Sequence, residues 1–253
     1  MGQGRRSRLS TGPPTRPPYD AAVSIPGELH GQLQRARQLI LAAKEEAAKE
    51  LLLSLLPEVE QQDRDDLALE IFAQLGELYL YRTAYDGTRE CLRRIDDCLA
   101  EYEKNPPESE TAHMIARYRL RSRFLRVGLA AAQGDHEEAD RGLAALREDD
   151  GAQRFTDLAA EQQHLSTLAA ILCATALCDD DLHVRAATLW RSIIPVIEDL
   201  PGDADSADQL LVAGGLAYGR FCVETGRRTR ASSGCAGPAP APSAAAGHCS
   251  ARE

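Results

Sequence analysis

The sequence predicts an all-α protein, folded as a right-handed α-solenoid of stacked antiparallel helix hairpins. Three observations lead to this prediction. Aromatic residues make up only 5% of the chain, while Ala and Leu dominate its apolar residues, and this balance favours helices over strands. Apolar residues recur at helical spacing from about residue 27 to 227, and no stretch alternates with the period of two expected of strands. Similar segments also recur along the chain.

Nine helices follow one another in this periodic region. The fourth stops before Pro106 and Pro107, and the eighth contains Pro195, which predicts a kink or an end to the first half of that helix. The predicted helices span residues 27–44, 45–62, 64–82, 86–105, 108–133, 136–148, 157–178, 183–200 and 206–225.

Two segments have the composition of disordered tails. Residues 1–26 contain five Pro and four Arg, and residues 232–253 are rich in Ala, Pro and Gly without periodicity. Such segments bury too little apolar surface to become ordered, so we expect tails at 1–26 and 232–253 around a helical repeat domain at 27–231. The second tail is also typical of out-of-frame translation of GC-rich DNA. Arg outnumbers Lys 26 to 3, which indicates a GC-rich genome such as an actinobacterial one.

The composition restricts the classes of function. A net charge of −10 does not suit direct nucleic-acid binding, because phosphate contacts require a basic surface. No apolar stretch reaches the roughly 18–20 residues that a membrane span needs. The seven Cys contain no C-x-x-C pair, and the five within helical patterns are expected to be small buried side chains. We expect a cytoplasmic protein without a metal or another cofactor.

Four segments align by their turns, at 75–95, 128–146, 171–193 and 216–231. Each has an apolar helix, a short polar turn and a small residue about five positions later. In three of them, larger apolar residues follow at the fourth and seventh positions after the small one. Small residues let two helix backbones approach closely, and the larger pair fills the space between helices. The predicted small positions, including an earlier unit, are Ala47, Thr88, Ala139, Ala186 and Ala231.

This pattern resembles the tetratricopeptide repeat, whose signature is W-x-x-L-G-x-x-Y, then G-x-Y-x-x-A, then aromatic-x-x-A. The resemblance covers about 27–231 and implies a concave surface that binds protein partners. The small positions lie 41 to 51 residues apart instead of about 34, which indicates a divergent set with longer helices. The matching residues are Phe72, Leu75, Gly76, Tyr79, Tyr85, Leu92 and Ile95 in the first segment, Gly134, His136, Ala139, Leu143 and Leu146 in the second, Ala186, Trp190 and Ile193 in the third, and Gly226 and Ala231 in the last.

The last hairpin lacks its second helix. Because stacked hairpins need neighbours to bury their faces, this predicts an exposed apolar face that includes Leu211, Leu216, Phe221 and Val223. We expect a second subunit, a missing C-terminal region or the tail to cover it. A homodimer through this hairpin is therefore one of the predicted assemblies.

The stretch AQGDHEEADRGL, residues 132–143, raises the question of a metal or acid/base site. Its Asp135, His136, Glu137 and Glu138 are consecutive, so their side chains point in different directions on a helix and do not converge. Helix capping explains them better: Gly134 suits a positive φ, Asp135 caps the next helix, and Glu138 completes a capping-box-like pair. By the same reasoning, an Asp in the turn CDDDLH at 178–183 is predicted to cap the helix that follows.

A basic strip is the candidate partner-binding surface. Arg119, Arg123 and Arg126 lie at i, i+4 and i+7 along the predicted fifth helix, and Arg grips a carboxylate with two hydrogen bonds. The alternative is a solvated face whose arginines pair with local acids. If the strip lies on the inner surface, it suits an acidic or C-terminal peptide.

The sequence therefore predicts a scaffold or adaptor that binds a protein or peptide and is not an enzyme. Two alternatives stay open. One is a regulatory or sensor fragment of a larger signalling or transcription-control protein. The other is an enzyme without a recognisable motif, which a deep pocket with converging ionisable groups would favour.

Overall fold

The computed structural model describes residues 26–104, 109–199 and 205–226, and within them it is all-helical. All nine predicted helices are confirmed; the additional α7 is a single short helix that the periodicity does not predict. The predicted tails lie outside the described residues, except for Pro26, which begins α1. The helices are α1 (Pro26–Leu41), α2 (Glu45–Gln61), α3 (Asp65–Tyr81), α4 (Tyr85–Lys104), α5 (Ser109–Ala132), α6 (His136–Arg147), α7 (Asp150–Gln153), α8 (Thr156–Asp179), α9 (His183–Glu198) and α10 (Asp205–Glu224).

Helices pack both on their neighbours in the chain and on helices further along it. The consecutive pairs α1–α2, α3–α4, α5–α6 and α8–α9 are in contact, and α1, α3, α5, α8 and α10 also contact one another in that order. Buried apolar side chains form one cluster across α1, α2 and α3 that also includes Cys91 of α4, and a second from α3 to α10, and Phe72 of α3 packs against both. The core therefore continues along the whole series of described helices.

Five connections between helices use the same turn. In each, a residue with positive φ lies two positions before the next helix, and the following amide donates to the carbonyl five residues earlier, as Ala84 does to Tyr79 at 2.8 Å. This Schellman arrangement satisfies the last carbonyls of a helix. Gly226 has the same positive φ after α10. The five residues are Ala43, Asp63, Thr83, Gly134 and Asp181.

The acidic stretch after α5 is a turn followed by a helix cap. Gly134 has φ of 75°, and the Asp135 carboxylate accepts a hydrogen bond from the Glu138 amide at 3.1 Å. Both predictions are confirmed. The predicted reciprocal bond of the capping box, from the Asp135 amide to the Glu138 carboxylate, is wrong. The Asp135 amide donates to the Ala130 carbonyl instead, and the Glu138 carboxylate pairs with Arg141 at 2.9 Å.

The predicted cap before α9 is also wrong. Leu182 is the N-cap residue and makes no side-chain capping bond. Asp181 adopts the positive φ of the turn, and Asp180 instead accepts a hydrogen bond from His136 at 2.7 Å. Pro195 does not end α9, which continues to Glu198.

Small residues lie where helices approach most closely. A Cβ at Gly76 would come within 2.7 Å of Leu125 on α5, so only glycine fits there without movement. Thr88, Ala139 and Ala186 are fully buried in their helices, as predicted. In the first hairpin, however, the buried small residue is Ala48, whereas the predicted Ala47 is exposed.

The larger signature residues contribute to the core. Trp190 is 2% exposed and lies with its ring centroid 5.2 Å from that of Tyr218. Tyr79 packs against Gly87, and Tyr85 is partly buried against the larger cluster. The other buried signature residues are Leu75, Leu92, Ile95, Leu143, Leu146 and Ile193.

The cysteines within the helices are free thiols, and four of the five are buried as predicted, whereas Cys98 is only partly buried. Burial raises the pKa of Cys91 and of Cys173 to about 12. Because the thiolate is the reactive form, these side chains contribute to packing rather than to redox chemistry.

Candidate functional site

A groove runs across the helices α1, α3, α5, α8 and α10. Two cavities of about 260 and 560 Å³ make up this groove, and they share lining residues on α1, α3 and α5. The larger volume lies within the range of ligand pockets. The polar residues that line the larger cavity are Gln34, Arg37, Gln38, Glu70, Gln74, Glu77, Arg117, Arg121, Glu161, His164 and Gln209.

The groove follows one polar stripe on an otherwise buried helix. On α3, Glu70, Gln74 and Glu77 lie four and three positions apart, which places them on one face. Most of the remaining residues of α3 are buried against neighbouring helices. The spacing of this stripe is visible in the sequence, but the apolar residues on both sides of it give the pattern of a buried helix.

Arg121 is the centre of an ion network that joins three helices. It is 8% exposed, and its Nε donates to Glu161 of α8 at 2.8 Å while its Nη1 lies 3.4 Å from Glu70 of α3. Arg117, one turn earlier on α5, donates to the other oxygen of Glu161 at 3.0 Å. The two arginines therefore connect α5 to both neighbouring walls of the groove.

Glu70 is held as a carboxylate by several donors. It accepts hydrogen bonds from Gln74 at 2.7 Å and from the Tyr118 hydroxyl at 2.9 Å, in addition to its contact with Arg121. Burial alone would raise the pKa of Glu70, but Arg121 and the hydrogen bonds outweigh burial and hold that pKa below its usual value.

Glu77 is in the opposite situation on the same stripe. Among the described residues it has no hydrogen-bond or ion-pair partner, although it lines the larger cavity beside Arg121. Desolvation raises the pKa of Glu77; the attraction of Arg121 and Arg37 offsets this only in part, and the nearby Glu70 and Glu161 raise it further. Within the described part of the chain, Glu77 is therefore a groove carboxyl without a directly paired cation.

His164 lines the opposite wall on α8. Its Nδ1 is buried and has no hydrogen-bond partner among the described residues. Burial lowers the pKa of His164, so the neutral imidazole is favoured. No hydrogen bond joins this ring to Glu77 within the described part of the chain, which argues against a direct proton relay between the two.

The predicted basic strip lies on another side of α5. Arg119 pairs with Glu103 and Arg126 with Asp96, both on α4, while Arg123 pairs with Asp149 after α6. None of the three lines either cavity. The three arginines make local pairs, as in the alternative interpretation, and Arg117 and Arg121 line the groove instead. Whether the strip binds a partner stays a prediction.

The last helix has the predicted exposed apolar face, with one exception. Leu211, Leu216 and Val223 are 46%, 73% and 81% exposed, and Val212 also belongs to this face. Phe221 does not: it is 2% exposed and packs 6.5 Å from the Trp190 ring centroid. Phe221 therefore packs α10 against α9 instead of belonging to the exposed face.

In the described ranges no group of three or more His, Cys, Asp or Glu side chains has the arrangement needed to hold a metal ion. None of the helices described has the length and apolar character to cross a membrane.

Comparison with known proteins identifies no relative of the chain. It matches no family model, no curated protein and no solved structure.

Proposed function

We propose that this protein is a non-enzymatic scaffold or adaptor that binds a segment of another protein in the groove across α1, α3, α5, α8 and α10. The observation that carries the proposal is the groove itself, which is lined by five helices in sequence order. A surface shared by successive helices suits an extended chain, since such surfaces are long and concave in stacked-hairpin proteins.

The recurrent turn and the order of helix contacts support a divergent tetratricopeptide-like solenoid of stacked hairpins. Helices α1, α3, α5, α8 and α10 form the inner layer in this arrangement, while α2, α4, α6 and α9 form the outer layer. The same turn precedes α2, α3, α4, α6 and α9, as expected if one structural unit recurs.

An enzyme is the second candidate, because ionisable groups with shifted pKa converge in the groove. Glu77 and His164 are the side chains that would act as acid or base. Binding accounts better for the site, because ion-pair networks also shift pKa values. Among the residues that line the two cavities, no nucleophile with an adjacent base lies between Glu77 and His164.

A steric block tests the binding proposal. Ala160 is exposed and lines the larger cavity, so Ala160→Trp fills the groove without burying the new ring in the core. Ala159→Trp, at the adjacent exposed position outside the lining, is the matched control. We expect selection from a random peptide library to recover sequences that bind the wild type and the control but not Ala160→Trp. Equal binding to both tryptophan variants would contradict the proposal.

The predicted basic strip can be examined with the same peptides. Arg119→Glu and Arg126→Glu leave the groove lining intact. If the groove is the binding surface, these variants bind the selected peptides as the wild type does. Loss of binding would instead favour the acidic-peptide hypothesis for the strip.

The exposed face of α10 supports a separate proposal, in which two copies associate through it in a cytoplasmic homodimer. Leu216→Glu and Val223→Glu would place charges on that face without touching Phe221. Sedimentation velocity is expected to show dimers for the wild type and monomers for the double variant. A monomeric wild type would contradict the homodimer. It would favour the alternative that another part of a larger regulatory protein covers this face of α10.

A further inference from the structure

Two acceptors on the α3 stripe have no donor. Gln74 is 6% exposed and lines both cavities, and its amide nitrogen donates to Glu70 at 2.7 Å. Because a carboxylate only accepts, the amide must face Glu70 with its nitrogen, which leaves the Gln74 Oε1 without a partner among the described residues. A buried acceptor without a donor is unfavourable, because the group has given up its bonds to water.

Glu77 lies one turn further along the same face, and it also lacks a donor among the residues that the structure describes. Around it, Arg121 and Arg117 are already engaged with Glu70 and Glu161. These three carboxylates and two engaged arginines sum to a charge of −1, and Arg37 lowers the pKa of Glu77 without pairing with it. The remaining groove arginine, Arg37, is exposed on α1 and makes no ion pair with any described residue.

We infer that the segment bound in the groove places a Lys or Arg side chain against Glu77 and the Gln74 Oε1. This inference rests on the proposed function and specifies its partner as a peptide with a buried cationic residue. A cationic side chain supplies both missing groups at once, since an ammonium carries three donors and a positive charge. The apolar residues beside the stripe, Leu165 and Leu168 on α8, accommodate the methylene stem of such a side chain.

Binding of this kind is linked to protons. The ionised form of Glu77 is the one that attracts a cation, and the groups facing it are Glu70 on its own helix, Arg121 on α5, Glu161 on α8 and Arg37 on α1. Burial raises the pKa of Glu77, so binding of a cation below that pKa requires release of the Glu77 proton. Affinity is therefore expected to rise with pH through the titration of Glu77 and then to level off.

The test uses peptides selected on the wild-type protein, and Glu77→Gln as the informative variant. Glu137→Gln is the matched control, since Glu137 is exposed and outside the groove lining. We expect the selected peptides to share a Lys or Arg, and its replacement by Met to weaken binding to the wild type and the control about tenfold or more. For Glu77→Gln the same replacement is expected to change affinity less than about twofold.

Other outcomes would contradict either the cationic contact at Glu77 or peptide binding in the groove. Selected peptides without a shared basic residue, peptides enriched in Asp or Glu, or an unchanged effect of the replacement in Glu77→Gln would overturn the cationic contact while leaving peptide binding intact. Binding of a free alkyl diamine as tightly as the peptide would show that the ligand is a small amine. If the wild type selects no peptide that Ala160→Trp fails to bind, both proposals fail.

Discussion

Helix α5 carries arginines on two faces, and the two sets have different surroundings. Arg117 and Arg121 face α3 and α8, where Arg121 is 8% exposed and contacts two carboxylates. Arg119 and Arg126 face α4, and each is about half exposed in a single pair. The residue type and the helix are the same, so the difference comes from the helices that pack on each face.

This difference determines how strongly each arginine is coupled to the fold. In an exposed ion pair, the interaction with the partner is about as favourable as the interaction with water that it replaces. A buried charge that loses its partner stays out of water and is destabilised. The groove face is therefore expected to be sensitive to substitution, and the α4 face tolerant. Four predictions examine this contrast, in order of decreasing effect.

The largest effect is expected for Arg121→Ala. It removes the only described cation in contact with Glu70 and one of the two that contact Glu161. We expect a loss of about 3–5 kcal/mol in the free energy of unfolding, measured by urea denaturation. A loss below about 1 kcal/mol would show that the groove network is as loosely coupled as a surface pair.

Arg123→Ala is expected to have an intermediate effect. Arg123 is itself 41% exposed, but its partner Asp149 has only 7% of its side chain exposed. The variant therefore leaves a buried carboxylate with fewer donors, for a loss of about 1–3 kcal/mol in the same measurement. A loss equal to that of Arg121→Ala would remove the distinction between the two faces.

The pH dependence of stability separates the two carboxyls of the groove. The pKa of Glu77 is raised in the folded state, so stability increases as pH falls from above that pKa towards the unfolded value. The pKa of Glu70 is lowered, so its contribution, which is complete above the unfolded value, is lost as pH falls through the folded value. Each unit of difference between the folded-state and unfolded-state pKa of a group changes the free energy of unfolding by about 1.4 kcal/mol.

Glu77→Gln is the variant that checks this assignment. Urea denaturation across the acidic range is expected to show the gain on acidification in the wild type and in Glu137→Gln, but not in Glu77→Gln. The loss at lower pH should persist in all three. If stability still increases on acidification in Glu77→Gln, the group that takes up the proton is not Glu77.

The smallest effect is expected for Arg119→Ala and Arg126→Ala. Their pairs with Glu103 and Asp96 are exposed on both sides. Each variant should lose less than about 1 kcal/mol, and the loss should shrink as salt is added. A loss above about 2 kcal/mol for either variant would mean that the α4 face contributes as much as the groove.

The sequence by itself determined the local structure of this protein. The helical period of its apolar residues predicted nine helices, and Gly134 with Asp135 predicted a turn and a cap, because these depend on residues a few positions apart. Small residues such as Gly76 and Ala139 also marked the close approaches of helices. Turns made by Ala43 and Thr83 were less visible, since these residue types rarely take a positive φ.

Tertiary structure alone decided which surfaces meet. Residues 117 and 119 are two positions apart and therefore point to different sides of α5, but nothing within α5 says which side faces a groove. The packing of α3 and α8 makes that choice, and the same packing brings Glu70, Arg121 and Glu161 together from positions at least 40 residues apart. The same packing also places Glu77 where no described residue forms a hydrogen bond or ion pair with it.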